Sequence, residues 1–219
     1  MYSTVIFDLD GTLLNTIDDL ADAVNYVQEK YGIEKHSVDL VRQHVGNGIR
    51  NLMIRSVPQG EKNPKFEEMF VCYKKYYQEH CQIKTAAYPG IIELLKGLHN
   101  KGIKMAIVSN KAHPAVVELN EIYFKDYISV AIGENEAAGI QKKPAPDSVF
   151  HAIELLGSKK SETVYVGDSE VDYATAKNSG LECVLCSWGF RDRELLESFE
   201  PMAIIDKPEE LLEILEHSK

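Results

Sequence analysis

The spacing of apolar residues along the chain alternates between two periods. Short apolar runs rich in β-branched residues predict strands at 4–7, 103–108, 128–132, 163–166, 181–186 and 202–205. Apolar residues three and four positions apart predict helices at 90–100, 114–123, 147–156, 171–179 and, at the C-terminal end, 208–219. This alternation favours an α/β fold with a parallel sheet and helices on both of its faces.

The segment between the first two predicted strands is far longer than one crossover helix requires. Most of it has helical periodicity, in the stretches 17–32, 38–46, 48–57 and 64–81. The Tyr88-Pro89 pair disfavours helix and marks the return to the sheet. We therefore predict a sheet-containing core formed by 1–15 and 85–219, with a small helical domain inserted at 16–84, and linkers near 14–17 and 84–88 that allow the insert to move.

Composition excludes several classes of function. The 219 residues are 44% hydrophobic and 26% charged, as in an ordinary globular protein. The net charge of −10 and the lack of a basic run argue against a nucleic-acid partner. No apolar run approaches the ~18–20 residues of a membrane span, so we expect an unanchored, cytoplasmic protein. Cys183 and Cys186 lie on a predicted strand without a second pair, which favours buried reduced thiols over a metal or redox site.

Two acidic residues follow the first predicted strand. Asp8 and Asp10 are two positions apart, and residues at this spacing on an extended chain face the same side. Gly11 permits a tight turn, and Thr12 follows it. In an open parallel sheet, functional groups gather at the carboxyl ends of the strands. An ordinary turn with a capping aspartate is the alternative, since Asp-Gly pairs are common in turns.

Candidate anion-binding groups lie farther along the chain. Ser109 and Asn110 follow the second predicted strand, where a hydroxyl, an amide and free backbone N–H groups can bind an anion or simply cap a helix. Lys143 precedes the helix predicted at 147–156, in the stiff sequence KKPAP. A lysine in such a position is usually a solvated charge, and Lys142 could take its place.

A second acidic pair, Asp168 and Asp172, follows the strand predicted at 163–166. In the plain structural interpretation, this GDSEVD sequence is a surface turn that caps the next helix. However, carboxylates at the ends of neighbouring strands repel one another unless a cation lies between them. The pair therefore also favours a cation site.

Together these groups fit one chemistry. A cluster of Asp8, Asp10 and Asp168 suits a hard cation with oxygen ligands, namely Mg²⁺. Ser109 and Lys143 would supply anion recognition beside it. Carboxylates at a cation, with a hydroxyl and a lysine directed at the same point, are typical of a phosphoryl-transfer site.

The sequences DLDGT, VSN, KPAP and GDSEVD, in this order after successive strands, resemble the four motifs of the haloacid dehalogenase-like hydrolase superfamily. The resemblance covers nearly the whole chain and implies a Rossmann-like core. The helical insert after the first motif is similar to the C1 cap of the subfamily that includes phosphoglycolate phosphatases and β-phosphoglucomutases.

The resemblance also implies a role for each motif residue. Asp8 would be the nucleophile that forms an aspartyl-phosphate, and Asp10 the general acid and then the base for the hydrolytic water. Ser109 and Lys143 would hold the transferring phosphoryl group. The implied magnesium set is Asp8, Asp10 through its carbonyl, Asp168 and Asp172, and the implied substrate set includes Gly11, Thr12 and Asn110.

The insert bears on the substrate. Its VGNG sequence and the following helix resemble a segment of phosphoglycolate phosphatases, which places Asn47 and Arg50 where they would meet a substrate carboxylate. The SWGF sequence that follows the fifth strand is also similar to that subfamily. Asn15 and Thr16 depart from it, since many members have an acid and a serine there. The leading substrate is 2-phosphoglycolate.

Several alternatives stay open. Within the superfamily, the chain could be a β-phosphoglucomutase-like phosphotransferase or an inorganic pyrophosphatase. In a different class, a non-turnover phospho-receiver also gathers acids, a hydroxyl and a lysine around magnesium. A binding protein without catalysis is a further alternative. We expect a small phosphorylated metabolite as the partner, no nucleic acid or membrane, and a monomer or homodimer.

Overall fold

The chain, as a computed structural model, is described over residues 2–135 and 139–217 and divides into two compact units. The larger unit contains the described residues up to Leu13 and from Ala87 onward. The smaller unit is Leu14–Ala86. Both junctions lie two residues from the predicted domain boundaries.

The described strands are β1 (Thr4–Phe7), β2 (Leu14–Asn15), β3 (Ala86–Ala87), β4 (Lys104–Ala112), β5 (Val130–Glu134), β6 (Thr163–Gly167), β7 (Glu182–Cys186) and β8 (Ala203–Ile205). Six of them form the parallel sheet of the larger unit, in the order β5-β4-β1-β6-β7-β8. All four residues of β1 are buried because β1 has a strand on either side and helices over both faces. The two shortest strands, β2 and β3, form a separate two-stranded sheet.

The smaller unit is helical, as its periodicity predicts. The segment that leaves the last helix of this unit is fixed by Asp19 on the first helix, whose carboxylate accepts hydrogen bonds from the backbone N–H groups of Lys84 and Thr85 and from the Thr85 hydroxyl. A buried carboxylate with this many donors fixes the path of the returning chain. The helices are α1 (Ile17–Lys30), α2 (Val38–His44), α3 (Ile49–Ser56) and α4 (Phe66–His80).

The remaining helices belong to the larger unit. Those predicted from the sequence lie within two residues of the predicted bounds, except that the last two residues of the 208–219 helix are outside the described part of the chain. Among the described α-helices, sequence periodicity missed only the short α9 (Arg193–Glu197). The helices are α5 (Ile91–Asn100), α6 (His113–Tyr123), α7 (Asp147–Leu155), α8 (Glu170–Ser179), α9 (Arg193–Glu197) and α10 (Glu210–His217). The predicted α/β fold is confirmed.

The second strand of the sheet differs from its prediction at one end. Ser109 and Asn110 were expected after the strand, but β4 continues to Ala112. It can continue because its neighbour β5 reaches Glu134, which pairs with Ala112 after a register shift that begins beyond Val108. The irregular register places the two polar residues within the strand.

No helix in the described part of the chain is both long and apolar enough to cross a membrane.

Candidate active site

Three carboxylates meet at the carboxyl edge of the sheet. Asp8 follows β1 and Asp168 follows β6, and these strands are neighbours. Asp172 lies in the first turn of α8. The three residues are 6%, 2% and 1% exposed, and each offers an oxygen within 4.8 Å of the others. Strand order thus brings together acids that are far apart in sequence.

Lys143 lies against this cluster. Its Nζ is 2.6 Å from Oδ1 of Asp8, 2.8 Å from Oδ1 of Asp172 and 3.1 Å from the hydroxyl of Tyr165. Lys143 is buried, whereas Lys142 is exposed. The structure therefore selects Lys143 from the two adjacent lysines. Tyr165, which also donates to Asp172, escaped the sequence analysis because it reads as an ordinary core residue of β6.

Asn110 holds the segment that carries Lys143. Its Nδ2 donates to the Lys143 carbonyl at 3.0 Å, and its Oδ1 accepts from the Lys143 backbone N–H at 2.7 Å. Both ends of the amide are therefore engaged with the backbone of Lys143. The hydroxyl of the neighbouring Ser109 is buried and accepts from the backbone N–H of Lys111.

Asp10 has a partner that the sequence analysis missed. Nζ of Lys111 lies 2.9 Å from Oδ1 and 3.1 Å from Oδ2 of Asp10, and the Lys111 side chain is only 6% exposed. A bidentate contact of this kind fixes the plane of the carboxylate. This partner was hard to predict, because the sequence does not indicate whether the lysine next to Asn110 is buried or exposed.

The turn after Asp10 packs directly on Asp168. Gly11 has a φ of +95°, and a Cβ at this position would lie 2.4 Å from Oδ2 of Asp168, so only glycine fits without displacement. The hydroxyl of Thr12 donates to Oδ1 of Asp168 at 3.4 Å. In the described structure, Gly11 and Thr12, which were predicted as substrate residues, therefore contact Asp168.

Asp172 is surrounded by hydrogen-bond donors. It forms a capping box with Ser169 at the start of α8, as the plain structural interpretation expects, but Asp168 and Asp172 are buried and do not form a surface turn. Its Oδ2 accepts from the backbone N–H groups of Asp168 and Ser169, and its Oδ1 accepts from Lys143 and Tyr165. Asp172 therefore links Lys143 and Tyr165 to the turn that follows β6.

The three carboxyl groups of the cluster differ in the direction in which their pKa values are shifted. Burial, with smaller contributions from the neighbouring carboxylates, raises the pKa of Asp8 to about 7 even though Lys143 opposes the shift. Burial and the charges of Asp172 and Asp8 raise the pKa of Asp168 well above its ordinary value. Burial also acts to raise the pKa of Asp172, but Lys143 and the donors around it hold that pKa below its usual range. One lysine is insufficient to stabilise three ionised carboxylates here.

The family profile of haloacid dehalogenase-like hydrolases matches residues 5–186. The chain belongs to this family. The matched region contains every acid of the cluster, Lys143 and the whole of the smaller unit.

Individual members of the haloacid dehalogenase-like family extend the comparison. The chain is 34% identical over 223 residues to a phosphoglycolate phosphatase of Neisseria meningitidis, covering 98% of this chain and 94% of that one. It is 30% identical over 215 residues to the phosphoglycolate phosphatase of Aquifex aeolicus, covering 97% and 96%. A crystal structure of a candidate phosphoglycolate phosphatase from Lactobacillus delbrueckii superposes with a TM-score of 0.92 at 35% identity and 98% coverage of both chains. The chain is accordingly a phosphatase similar to phosphoglycolate phosphatases.

The donor set of this haloacid dehalogenase-like site fits a magnesium ion. The candidate ligands are carboxylate oxygens, which a hard divalent cation prefers. The raised pKa values of Asp8 and Asp168 mean that the cluster resists full ionisation by itself. A bound cation would reduce the repulsion between the ionised carboxylates.

The predicted substrate residues of the smaller unit have partners within that unit. Arg50 binds Glu61 at 2.8 Å and Glu67 at 2.5 Å, and its guanidinium lies over the ring of Phe66. Asn47 is in the left-handed region, with a φ of 60°, and its carbonyl accepts from Asn51. Because Arg50 already binds two carboxylates, these contacts argue against a substrate-binding role for its guanidinium. The assignment of Asn47 and Arg50 to substrate binding stays a prediction.

The cysteines lie outside this chemistry. Cys183 and Cys186 are buried on β7, and burial raises the pKa of both thiols well above the ordinary value. Thiols of this kind are unreactive. This agrees with the expectation of buried reduced cysteines.

Proposed function

We propose that this haloacid dehalogenase-like phosphatase hydrolyses a small phosphate monoester through an aspartyl-phosphate on Asp8, with magnesium as its cofactor. The observation that carries the proposal is the buried contact of Asp8 with Lys143 beside two further acids. A carboxylate in this setting has a cationic partner for an incoming phosphoryl group and a site for the cation that such chemistry uses.

In the proposed first step, an Asp8 oxygen attacks phosphorus while the bond to the ester oxygen breaks. Asp10 enters this step in its protonated form and gives its proton to the leaving alkoxide, which leaves Asp10 ionised and held in orientation by Lys111. Ser109 and Lys143 donate hydrogen bonds to the transferring phosphoryl oxygens. The products of this step are the free alcohol and phosphorylated Asp8.

In the proposed second step, Asp10 removes a proton from a water molecule that attacks the aspartyl-phosphate. The bond between phosphorus and the Asp8 oxygen breaks, which releases inorganic phosphate, restores the Asp8 carboxylate and leaves Asp10 protonated for the next cycle. The residues that would hold magnesium are Asp8, Asp168 and the carbonyl of Asp10, with Asp172 in support. When bound, the cation would lower the repulsion between the carboxylates and a phosphate dianion.

For the substrate we propose 2-phosphoglycolate, supported by relatives named phosphoglycolate phosphatase that are 30–34% identical over 92–98% of this chain. The second candidate is inorganic pyrophosphate, because the chain is also 29% identical over 214 residues to a pyrophosphatase of Bacillus mycoides. A β-phosphoglucomutase-like transfer, the role of the smaller unit as a substrate-selecting cap, a cytoplasmic location and the oligomeric state stay predictions.

The test is phosphate release from 2-phosphoglycolate, pyrophosphate and a panel of sugar phosphates and nucleotides, with and without magnesium. Asp8→Asn is the blank, since an amide lacks the charge of the nucleophile. We expect magnesium-dependent multiple turnover that the variant lacks. Preference for another ester would retain the mechanism and replace the substrate.

Two further results would redirect the proposal. Retained turnover in Asp8→Asn would remove Asp8 as the nucleophile. A stable phosphoprotein without multiple turnover would favour the receiver alternative. For the substrate, Arg50→Ala separates two roles: loss of preference for phosphoglycolate assigns Arg50 to the substrate, and loss of thermal stability alone assigns it to the Glu61 and Glu67 contacts.

A further inference from the structure

The carboxylate of Asp168 is held at both of its oxygens. The backbone N–H of Phe190 donates to Oδ2 at 2.7 Å, and the hydroxyl of Thr12 donates to Oδ1 at 3.4 Å. Because each oxygen has its own donor, rotation of the carboxylate about its Cβ–Cγ bond breaks at least one hydrogen bond. The orientation of Asp168 therefore depends on the two segments that supply these donors.

Those segments come from opposite sides of Asp168. In the sheet, β6 lies between β1 and β7. Thr12 lies in the loop after β1, and Phe190 lies in residues 187–191, the closing segment, which follows β7. Asp168 follows the central strand of the three. The loops that follow β1 and β7 therefore lie on either side of Asp168.

Trp188 connects the two bracketing loops. Its indole Nε1 donates to the carbonyl of Thr12 at 3.0 Å, which closes a ring of hydrogen bonds that passes through both oxygens of Asp168. The next residue, Gly189, lies so close that a Cβ there would be 2.3 Å from Cβ of Asp168. The closing segment is therefore fitted directly against this acid.

Arg191 secures the other end of the closing segment. Its guanidinium binds both carboxylate oxygens of Glu170, with Nε 2.7 Å from Oε2 and an Nη 3.0 Å from Oε1. Glu170 is the first residue of α8 and lies two residues after Asp168. A bidentate ion pair of this geometry restrains both chains. The position of the Phe190 N–H is thus fixed on both sides.

We propose that the closing segment sets the affinity of the site for magnesium, with Trp188 and Arg191 as positioning residues for Asp168. This inference rests on the proposed function, because it assumes that Asp168 is a magnesium ligand. Hydrogen-bond partners of metal ligands orient them, and loss of such partners weakens metal binding. Trp188 and Arg191 act through Thr12, Phe190 and Glu170, so they need not contact the ion or the substrate.

The test is calorimetric titration of the metal-free protein with magnesium chloride. Trp188→Phe removes the indole N–H and retains an aromatic ring, and Arg191→Met removes the bidentate pair. Each is expected to raise the magnesium dissociation constant roughly 10-fold, at the lower end of the effect of such partners. At saturating magnesium, kcat is expected to return close to that of the wild type.

Arg193→Met is the matched control. Arg193 lies two residues beyond Arg191 and pairs with Glu197 and Asp206 on the surface, with its side chain 48% exposed. This variant should bind magnesium as the wild type does. An equal loss in Arg193→Met, or wild-type affinity in both Trp188→Phe and Arg191→Met, would overturn the inference and leave the proposed function intact.

A second measurement uses the wild-type protein. Trp188 is the only tryptophan in the sequence, so its fluorescence reports on the closing segment. We expect a saturable change in emission as magnesium is added, with the same midpoint as in calorimetry. Calorimetric binding without any change in emission would contradict the inference. Absence of magnesium binding in the wild type would instead contradict the proposed metal site.

Discussion

Nζ of Lys143 lies 2.6 Å from Oδ1 of Asp8, and the two side chains are 4% and 9% exposed. Burial disfavours the charged lysine, but the carboxylates of Asp172 and Asp8 outweigh this and raise the pKa of Lys143 well above its ordinary value. Lys143 therefore remains cationic at any pH at which the enzyme would work. Removing one member of such a buried pair leaves an uncompensated charge.

Replacement of Lys143 tests the importance of this contact. Lys143→Met should lower kcat roughly 100- to 1000-fold, the usual cost of losing a donor that stabilises transition-state charge. Lys142→Met is the matched control, because Lys142 is the adjacent lysine and is exposed. Phosphate release from the best substrate measures both variants. A similar loss in the control would mean that burial did not identify the functional lysine.

Asn110 is expected to act by placing Lys143. Asn110→Ala removes two hydrogen bonds to the Lys143 backbone and should lower kcat by up to about 100-fold, since small displacements of catalytic groups have large effects. Asn178→Ala removes one exposed bond to the next residue, Pro144, and should leave kcat unchanged. If Asn110→Ala raised KM and left kcat at the wild-type value, direct substrate binding by its amide would be the better explanation.

Lys111 is expected to matter for catalysis because it fixes both oxygens of Asp10. Lys111→Met retains the length of the aliphatic chain and should lower kcat by about 10- to 100-fold, within the range of a general acid–base contribution. Lys104→Met, on the same strand, removes contacts to the carbonyls of Leu156 and Gly157, which lie outside the site. Steady-state kinetics of the two variants should therefore differ, and equal kinetics would argue against the orienting role.

The raised pKa of Asp8 predicts a dependence of stability on pH. In the metal-free protein this pKa is about 7, against 3.8 for an ordinary aspartate, so the folded state favours protonated Asp8. The associated stability is present below pH 3.8 and is lost as pH rises through about 7. Asp8→Asn cannot ionise and should therefore become more stable than the wild type as pH rises, by at most about 4 kcal/mol.

Urea unfolding in EDTA at pH 5 and pH 8 measures this difference. Magnesium at pH 8 should stabilise the wild type and have much less effect on Asp8→Asn, because binding to the folded state adds to its stability. Parallel pH profiles of the two metal-free proteins would show that burial does not perturb Asp8 as described.

The predictions from sequence succeeded where local pattern decides structure. Strands and helices of the larger unit follow from apolar periodicity. Asp8, Asp168, Asp172 and Lys143 were selected as candidate site residues because they follow or precede those elements, and the structure brings these four side chains together. The end of β4 was placed too early because pairing with β5 extends the strand beyond its apolar run. The short α9 has too few residues for its period to be recognised.

The sequence by itself determined the α/β alternation, the helical insertion and the residue types that phosphoryl transfer requires. Tertiary structure alone decided that Lys143 is buried against Asp8 and that Lys111 binds Asp10. It also decided that the side chain of Asn110 binds the backbone of Lys143. Trp188 likewise connects to Asp168 only through the order of β1, β6 and β7 in the sheet. The physical reason is that burial and charge pairing depend on contacts between segments that are distant in sequence. A local sequence pattern does not predict those contacts.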